Sequence, residues 1–219
     1  GGTLSITADS ELTVSQGYSL TLSQAGGLAL GANTLTLSGG GSFVSGGMIL
    51  NDEDSKLLLN KITLDNASTS ANSLGLDVDD NSAITSLVVG HTTPVSIASG
   101  KTLSGGITVT GGSIKLGETG TLASAVSMSG GTLEADESLT LSGALTQSGN
   151  ISIDVAADKT LSYSGAAVNL GANTLTMSGK GTFNNTNALV LNNASSKLLL
   201  SNTTTVSSVS TSLASSGID

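Results

Sequence analysis

The sequence has no cysteine, no arginine and no tryptophan, a single proline, Pro94, and four aromatic residues, Tyr18, Phe43, Tyr163 and Phe183. Without cysteine there is neither a disulfide nor a thiolate metal site. Seven lysines face sixteen acids, for a net charge of −9. A chain this acidic offers no basic patch for phosphate, so nucleic acid and an anionic membrane surface are excluded as expected partners. The one histidine, His91, would have to serve a hydrolytic triad or an imidazole metal site alone. Beside Thr92, Thr93 and Pro94 it reads as a solvated loop residue. The longest aliphatic runs, such as Leu57-Leu58-Leu59, are far too short to cross a bilayer, so no membrane insertion is expected of this segment. The first residues, Gly1-Gly2-Thr3-Leu4, lack the basic start and apolar run of a signal peptide, and the chain is expected to be a piece of a longer repeat protein.

Small and aliphatic residues fill the space. Glycine takes 29 of 219 positions, roughly twice its usual share of about 7%. Hydrophobic residues make up 37% and are spread along the whole length, enough for a thin aliphatic core, unlike the depleted composition of a disordered chain. The dominant pattern is a short alternation of apolar residues with Ser or Thr. It recurs in Leu12-Thr13-Val14, Leu35-Thr36-Leu37, Ile107-Thr108-Val109, Leu139-Thr140-Leu141 and Ile151-Ser152-Ile153. Such a period of two predicts half-buried strands, here three to five residues long and separated by Gly, Asn, Asp or Ser. No helical periodicity competes with it.

Two levels of repetition overlie this pattern. A polar corner followed by Leu recurs as Gly31-Ala32-Asn33-Thr34-Leu35, Ser99-Gly100-Lys101-Thr102-Leu103 and Ala135-Asp136-Glu137-Ser138-Leu139, with key leucines about 14 to 23 residues apart, the range of one coil of two or three strands. A longer repeat relates 20–59 to 161–200. Within it, LGANTLTLSGGGSF (30–43) matches LGANTLTMSGKGTF (170–183) at 11 of 14 positions, and Ser55-Lys56-Leu57-Leu58-Leu59 matches Ser196-Lys197-Leu198-Leu199-Leu200 one residue out of step. A one-residue gain inside a strand would invert its faces, so the gain is expected at a corner. Phe43 and Phe183 are expected in equivalent interior positions. Together these features predict an all-β fold, a right-handed parallel β-helix, formed by 1–219 as one solenoid. A β-sandwich fits less well, since it wants longer strands, hairpin turns and core aromatics.

Ser129-Gly130-Gly131-Thr132-Leu133-Glu134-Ala135 and Gly105-Gly106-Ile107-Thr108-Val109-Thr110-Gly111-Gly112 resemble passenger repeats of bacterial autotransporters and of the filamentous-haemagglutinin class of surface adhesins. The resemblance implies a right-handed parallel β-helix, export to the bacterial cell surface, and adhesion or display, and it carries no catalytic residue across. The implied partner is a receptor or glycan on a host or neighbouring cell, or a second copy stacked on an open solenoid end.

Enzymatic signatures are missing: there is no HExxH, GxSxG, P-loop or dinucleotide fingerprint. No catalytic, cofactor or metal residue is therefore assigned. Asp77-Val78-Asp79-Asp80-Asn81-Ser82 begins like a calcium loop, but its twelfth position is Val88 where a bidentate Glu is needed. Asp52-Glu53-Asp54 matches the uncharged Asn193-Ala194-Ser195 in the long repeat and reads as a solvated corner. The stack is expected to hold without calcium. The Thr-x-Thr segments Thr34-Leu35-Thr36 and Thr174-Leu175-Thr176 would suit an ice-binding face only if such rows lay in register on successive coils. The stretch from Asp65 to Gly100 is the least regular and is expected to form a coil with an extended loop, with a strand at Ile84–Val89 inside it. With acids outnumbering lysines, like charges on stacked coils are expected to be spread around the outside.

Overall fold

A computed structural model describes residues 4–23, 26–201, 205–212 and 214–219; Gly1–Thr3 at the start lie outside the described residues. The period of two is fully expressed. Along Thr34–Ser38, Leu35 and Leu37 are buried while Thr34, Thr36 and Ser38 face outward, and the same alternation holds in Ser113–Gly117 and Ile151–Val155. A three- to five-residue strand cannot bury its own apolar side, so each is covered by the coils before and after it. All strand pairings within the sheets are parallel, and the result is a β-solenoid of about 10 turns, with no helix among the described residues.

Each coil passes through three faces. The first is an eleven-stranded sheet running from Ser10–Thr13 through Thr34–Ser38, Lys56–Asn60 and Gly75–Asp80 to Gly217–Ile218. The second is carried by strands such as Ser42–Val44, Leu139–Leu141 and Thr182–Asn185. The third includes Met48–Leu50, Ala125–Met128 and Leu189–Leu191. Register partners are 19 residues apart from Leu57 to Leu76 and 25 apart from Leu12 to Leu37. This refines the sequence spacing upward. The 14-residue step from Leu161 to Leu175 joins a second-face strand to a first-face strand and is less than a full turn.

Asp65 to Gly100 corrects the sequence reading: it holds no extended loop. It contains most of Thr63–Thr69, all of Gly75–Asp80, Ser82–Val89 and Thr93–Ile97, and every strand is paired on both sides. Strands here are longer than expected. Thr63–Thr69, Ser82–Val89 and Thr102–Val109 each run through the second and third faces without a break. The bend between the faces is made by an irregularity between Ile84 and Leu87, opposite Gly105. Gly105 has φ 118°, and a Cβ there would lie 1.7 Å from the Ile84 carbonyl oxygen, so only glycine fits. The polar letters Asn66, Ser68, Asp77 and Asp79 hid these strands because they are the outward half of the alternation.

Later in the chain the third face is interrupted. Leu145–Gln147 pairs back to Ala125–Met128, and Val168–Asn169 pairs forward to Leu189–Leu191, with no ladder between them. Side chains stitch this seam. Tyr163, fully buried, accepts the Leu145 N–H at 3.0 Å and donates its hydroxyl to the Ala166 carbonyl at 2.6 Å. The Gln147 amide donates to the Leu170 carbonyl at 3.0 Å. Tyr163 also stacks on Phe183, with ring centroids 5.9 Å apart. Burial pushes the Tyr163 phenol above its ordinary pKa, against the pull of the Leu145 N–H.

Candidate functional site

Charge is distributed by face. Strands of the first face carry Glu11, Lys56, Asp77, Asp79, Asp80, Lys115, Glu134, Asp154 and Lys197. Strands of the other two faces carry only Asp65. Charge carried on strands is thus gathered on one face, and the remaining charged residues sit at the corners. Crowding on one face is tolerated because signs are matched between coils. Lys56 pairs with Asp77 at 2.5 Å, Lys115 with Glu134 at 3.0 Å and Lys197 with Asp219 at 2.5 Å. At the corner between the first and second faces, Lys101 pairs with Asp80 at 2.8 Å and Lys159 with Glu137 at 2.5 Å. The Lys101 ammonium and the Asn81 N–H hold the Asp80 carboxyl below the usual carboxylate range. These groups are largely solvated, so each pair by itself contributes little to stability. Their sum is a register preference: sliding one coil by a residue breaks the match.

The stretch Asp77 to Asn81 is therefore strand and corner, with the side chains of Asp77, Asp80 and Asn81 already partnered and Asp79 exposed. Asp77 and Asp80 are ion-paired to different coils, Val78 between them points inward, and Asn81 accepts the Thr102 N–H at 2.9 Å. Among the described residues no group of three or more His, Cys, Asp or Glu side chains converges as a metal cage. Asp52 caps its own corner by accepting the Asp54 N–H at 3.0 Å, and Asn193 does the same for Ser195 at 2.9 Å. His91 is exposed, and its backbone N–H donates to Thr69 Oγ1.

The second face contrasts with the first. Its outward positions form vertical columns of hydroxyl and small residues. One runs through Ser19, Ser42, Thr63, Ala83 and Ser104, another through Thr102, Thr121, Thr140, Ser162 and Asn184. The rows that the sequence located at Thr34 and Thr174 lie on the charged face; the in-register rows are these.

Within the first column Ala83 interrupts the hydroxyls. Around it opens a groove of about 260 Å³, bounded by Lys61, Thr63, Asn81, Thr102 and Ser104. The corner at Lys61 is tightly set. Lys61 has φ 56°, and its carbonyl accepts the Gly40 N–H at 2.5 Å. Ser82 Oγ, buried beneath, accepts the Ile62 N–H and donates to the Asp80 carbonyl. The groove floor is thus tied down by hydrogen bonds, while among the described residues the Lys61 ammonium makes no close ion pair, its charge acting on Asp80 from further off, and the hydroxyls of Thr63 and Thr102 have no side-chain partner. Composition could not reveal this site, because it depends on which coil stacks on which.

Comparison with protein-family models, with curated proteins and with solved structures finds no match. The fold itself defines the class, a parallel β-solenoid.

Proposed function

We propose that this chain is a non-catalytic structural and adhesive β-solenoid, a stalk or passenger segment of a bacterial surface adhesin, working outside the cell. The observation that carries this reading is the contrast of faces on one continuous stack. The charged face locks coil to coil through paired lysines and acids, while a neutral, hydroxyl-rich face stays open along the rod. A stack of about 10 turns at the usual strand spacing of about 4.8 Å spans roughly 50 Å, so repetition supplies reach at little cost in sequence complexity. The partner under this reading is a cell-surface receptor or glycan. Beads coated with the protein should adhere to bacterial or epithelial surfaces, and the protein should release no reducing ends from a panel of polysaccharides. Turnover of any of them would replace the adhesive reading with an enzymatic one.

A second reading, a self-assembling filament or sheath subunit, draws on the parallel stacking of coils. A parallel edge strand of one copy can pair with a strand of another. Sedimentation over a range of concentrations separates the readings: a constant monomer supports the stalk, and growing mass supports the filament.

A further inference from the structure

We propose that the groove over Ala83 is a subsite for one acidic sugar unit, of the uronic type, within a surface polysaccharide. The proposal rests on the adhesive reading and names the ligand class for it.

The groove has the size and chemistry of such a unit. Its volume, about 260 Å³, is at the small end of ligand pockets and suits a single ring better than a drug-sized molecule. Its floor is the Ala83 methyl, half-buried where the coils above and below place Thr63 and Ser104. That apolar spot can take the C–H face of a sugar ring. The rim supplies donors in three directions. Lys61 lies on one side. The Asn81 amide nitrogen lies on another, its oxygen being fixed by the Thr102 N–H. The Thr63 and Thr102 hydroxyls complete the set. A carboxylate on Lys61 and ring hydroxyls on the other three satisfy every one of them.

Charge decides between an acidic and a neutral unit. The whole chain is at −9, which would seem to repel an anion. That charge, however, is distributed along a rod of roughly 50 Å, and at physiological salt fields fade over about 8 Å. What a ligand meets is local. Asp80, next to Asn81 on the rim, is paired with Lys101 at 2.8 Å, and the Lys61 charge also helps to hold its carboxyl below the usual range. Lys61 makes no ion pair among the described residues, whereas five of the other six lysines do. An ammonium without a close ion pair, beside a hydroxyl-bearing face, favours a carboxylate, and the hydrogen bond it makes is charge-assisted.

The test is an NMR titration of the whole chain at low salt with trigalacturonic acid, using maltotriose as the neutral sugar and sodium acetate as the bare carboxylate. Trigalacturonate should shift the amides of Ala83, Thr102 and Lys61 saturably, and maltotriose and acetate should bind at least tenfold more weakly. Lys61→Gln should weaken trigalacturonate about tenfold or more, as expected for a lost hydrogen bond to a charged group. Ala83→Leu, which fills the floor from the outside, should abolish binding. Lys180→Gln, at an equivalent corner six coils away, should change nothing. Absence of saturable shifts, equal binding of maltotriose, or indifference to both groove variants overturns the proposal. Each of those outcomes leaves the bead-adhesion result untouched, so failure of the subsite is distinct from failure of the adhesive reading.

Discussion

The corner that leads from Leu30 to Lys56 and the corner that leads from Leu170 to Lys197 are the same object built twice. Gly31 and Gly171 both have φ 57°, and their N–H groups donate at 2.8 Å to Asn51 and Asn192. The Asn33 and Asn173 amides donate to the Leu30 and Leu170 carbonyls at 2.8 and 2.9 Å. Ser55 and Ser196, both fully buried, donate to the Gly31 and Gly171 carbonyls. The difference lies in what surrounds this frame. The first copy carries Asp52-Glu53-Asp54 where the second has Asn193-Ala194-Ser195. At the turn into the third face, the first copy has Ser45-Gly46-Gly47 held by Asp65, with the Ser45 N–H and hydroxyl and the Gly46 N–H all donating to its carboxylate. The second has a buried Asn185, which donates to the Asn187 and Ser208 carbonyls and accepts the Ser207 and Ser208 N–H groups. Corner geometry is thus fixed by Gly, Asn and buried Ser, and charge is interchangeable decoration except where Asp65 replaces an amide.

The largest effect should separate the two phenylalanines. Both are fully buried. Phe43 lies between Leu20 and Leu64, whereas Phe183 lies between Leu161 and Val206 and also stacks on Tyr163. Truncation of either to Ala should cost about 3–5 kcal/mol in urea unfolding, with Phe183→Ala the worse of the two. Equal costs would show that the ring stack adds nothing to burial.

Next come the serines. Ser55→Ala leaves the Gly31 carbonyl and the Asn51 and Asp52 N–H groups short of a partner, Ser196→Ala leaves the Gly171 carbonyl and the Asn193 N–H short of one, and each should cost about 1–3 kcal/mol. The two values should agree within about half a kcal/mol. A clear mismatch would mean that the acids of the first copy bear on the frame after all.

Acid should then tell the copies apart. Burial raises the Asp65 pKa, but the hydrogen bonds from Ser45 and Asn66 outweigh it, and the carboxyl sits below the ordinary aspartate range. A depressed folded-state pKa stabilises the fold above the unfolded value and loses that contribution as pH falls through the folded one. Between pH 7 and about pH 3, hydrogen exchange at Ser45 and Gly46, corrected for intrinsic rates, should accelerate, while the Ser207 and Ser208 amides held by neutral Asn185 should not. Asp65→Asn should remove the difference. Smallest of all, Asp52→Asn should stay within about 0.5 kcal/mol of the parent, since Asn193 already performs the same cap.

Much of this architecture was legible. The alternation, the polar corners and the shared phenylalanines follow from letters on single strands, and the one-residue offset falls between Phe43 and Met48 in one copy and between Phe183 and Leu189 in the other, at the turn into the third face. What depended on stacking was not legible. Asp77 and Asp80 looked like a cluster in sequence but pair with lysines about twenty residues away, in opposite directions along the axis. Ala83 is unremarkable until Thr63 and Ser104 are seen on either side of it. Polar residues in Thr63–Thr69 resembled a loop because an outward-facing strand surface and a loop have the same composition.

The central claim is that the two copies lie on one stack, separated by seven strand steps of the first face. Because the chain has no cysteine, nitroxides can be placed at Thr36 and Thr176, outward positions on Thr34–Ser38 and Thr174–Gly179. Seven steps of about 4.8 Å predict a separation of roughly 34 Å along the axis, and double electron–electron resonance should show one narrow distribution near that value. A maximum below about 20 Å, as in two sheets folded face to face about 10 Å apart, would contradict the solenoid and everything built on it.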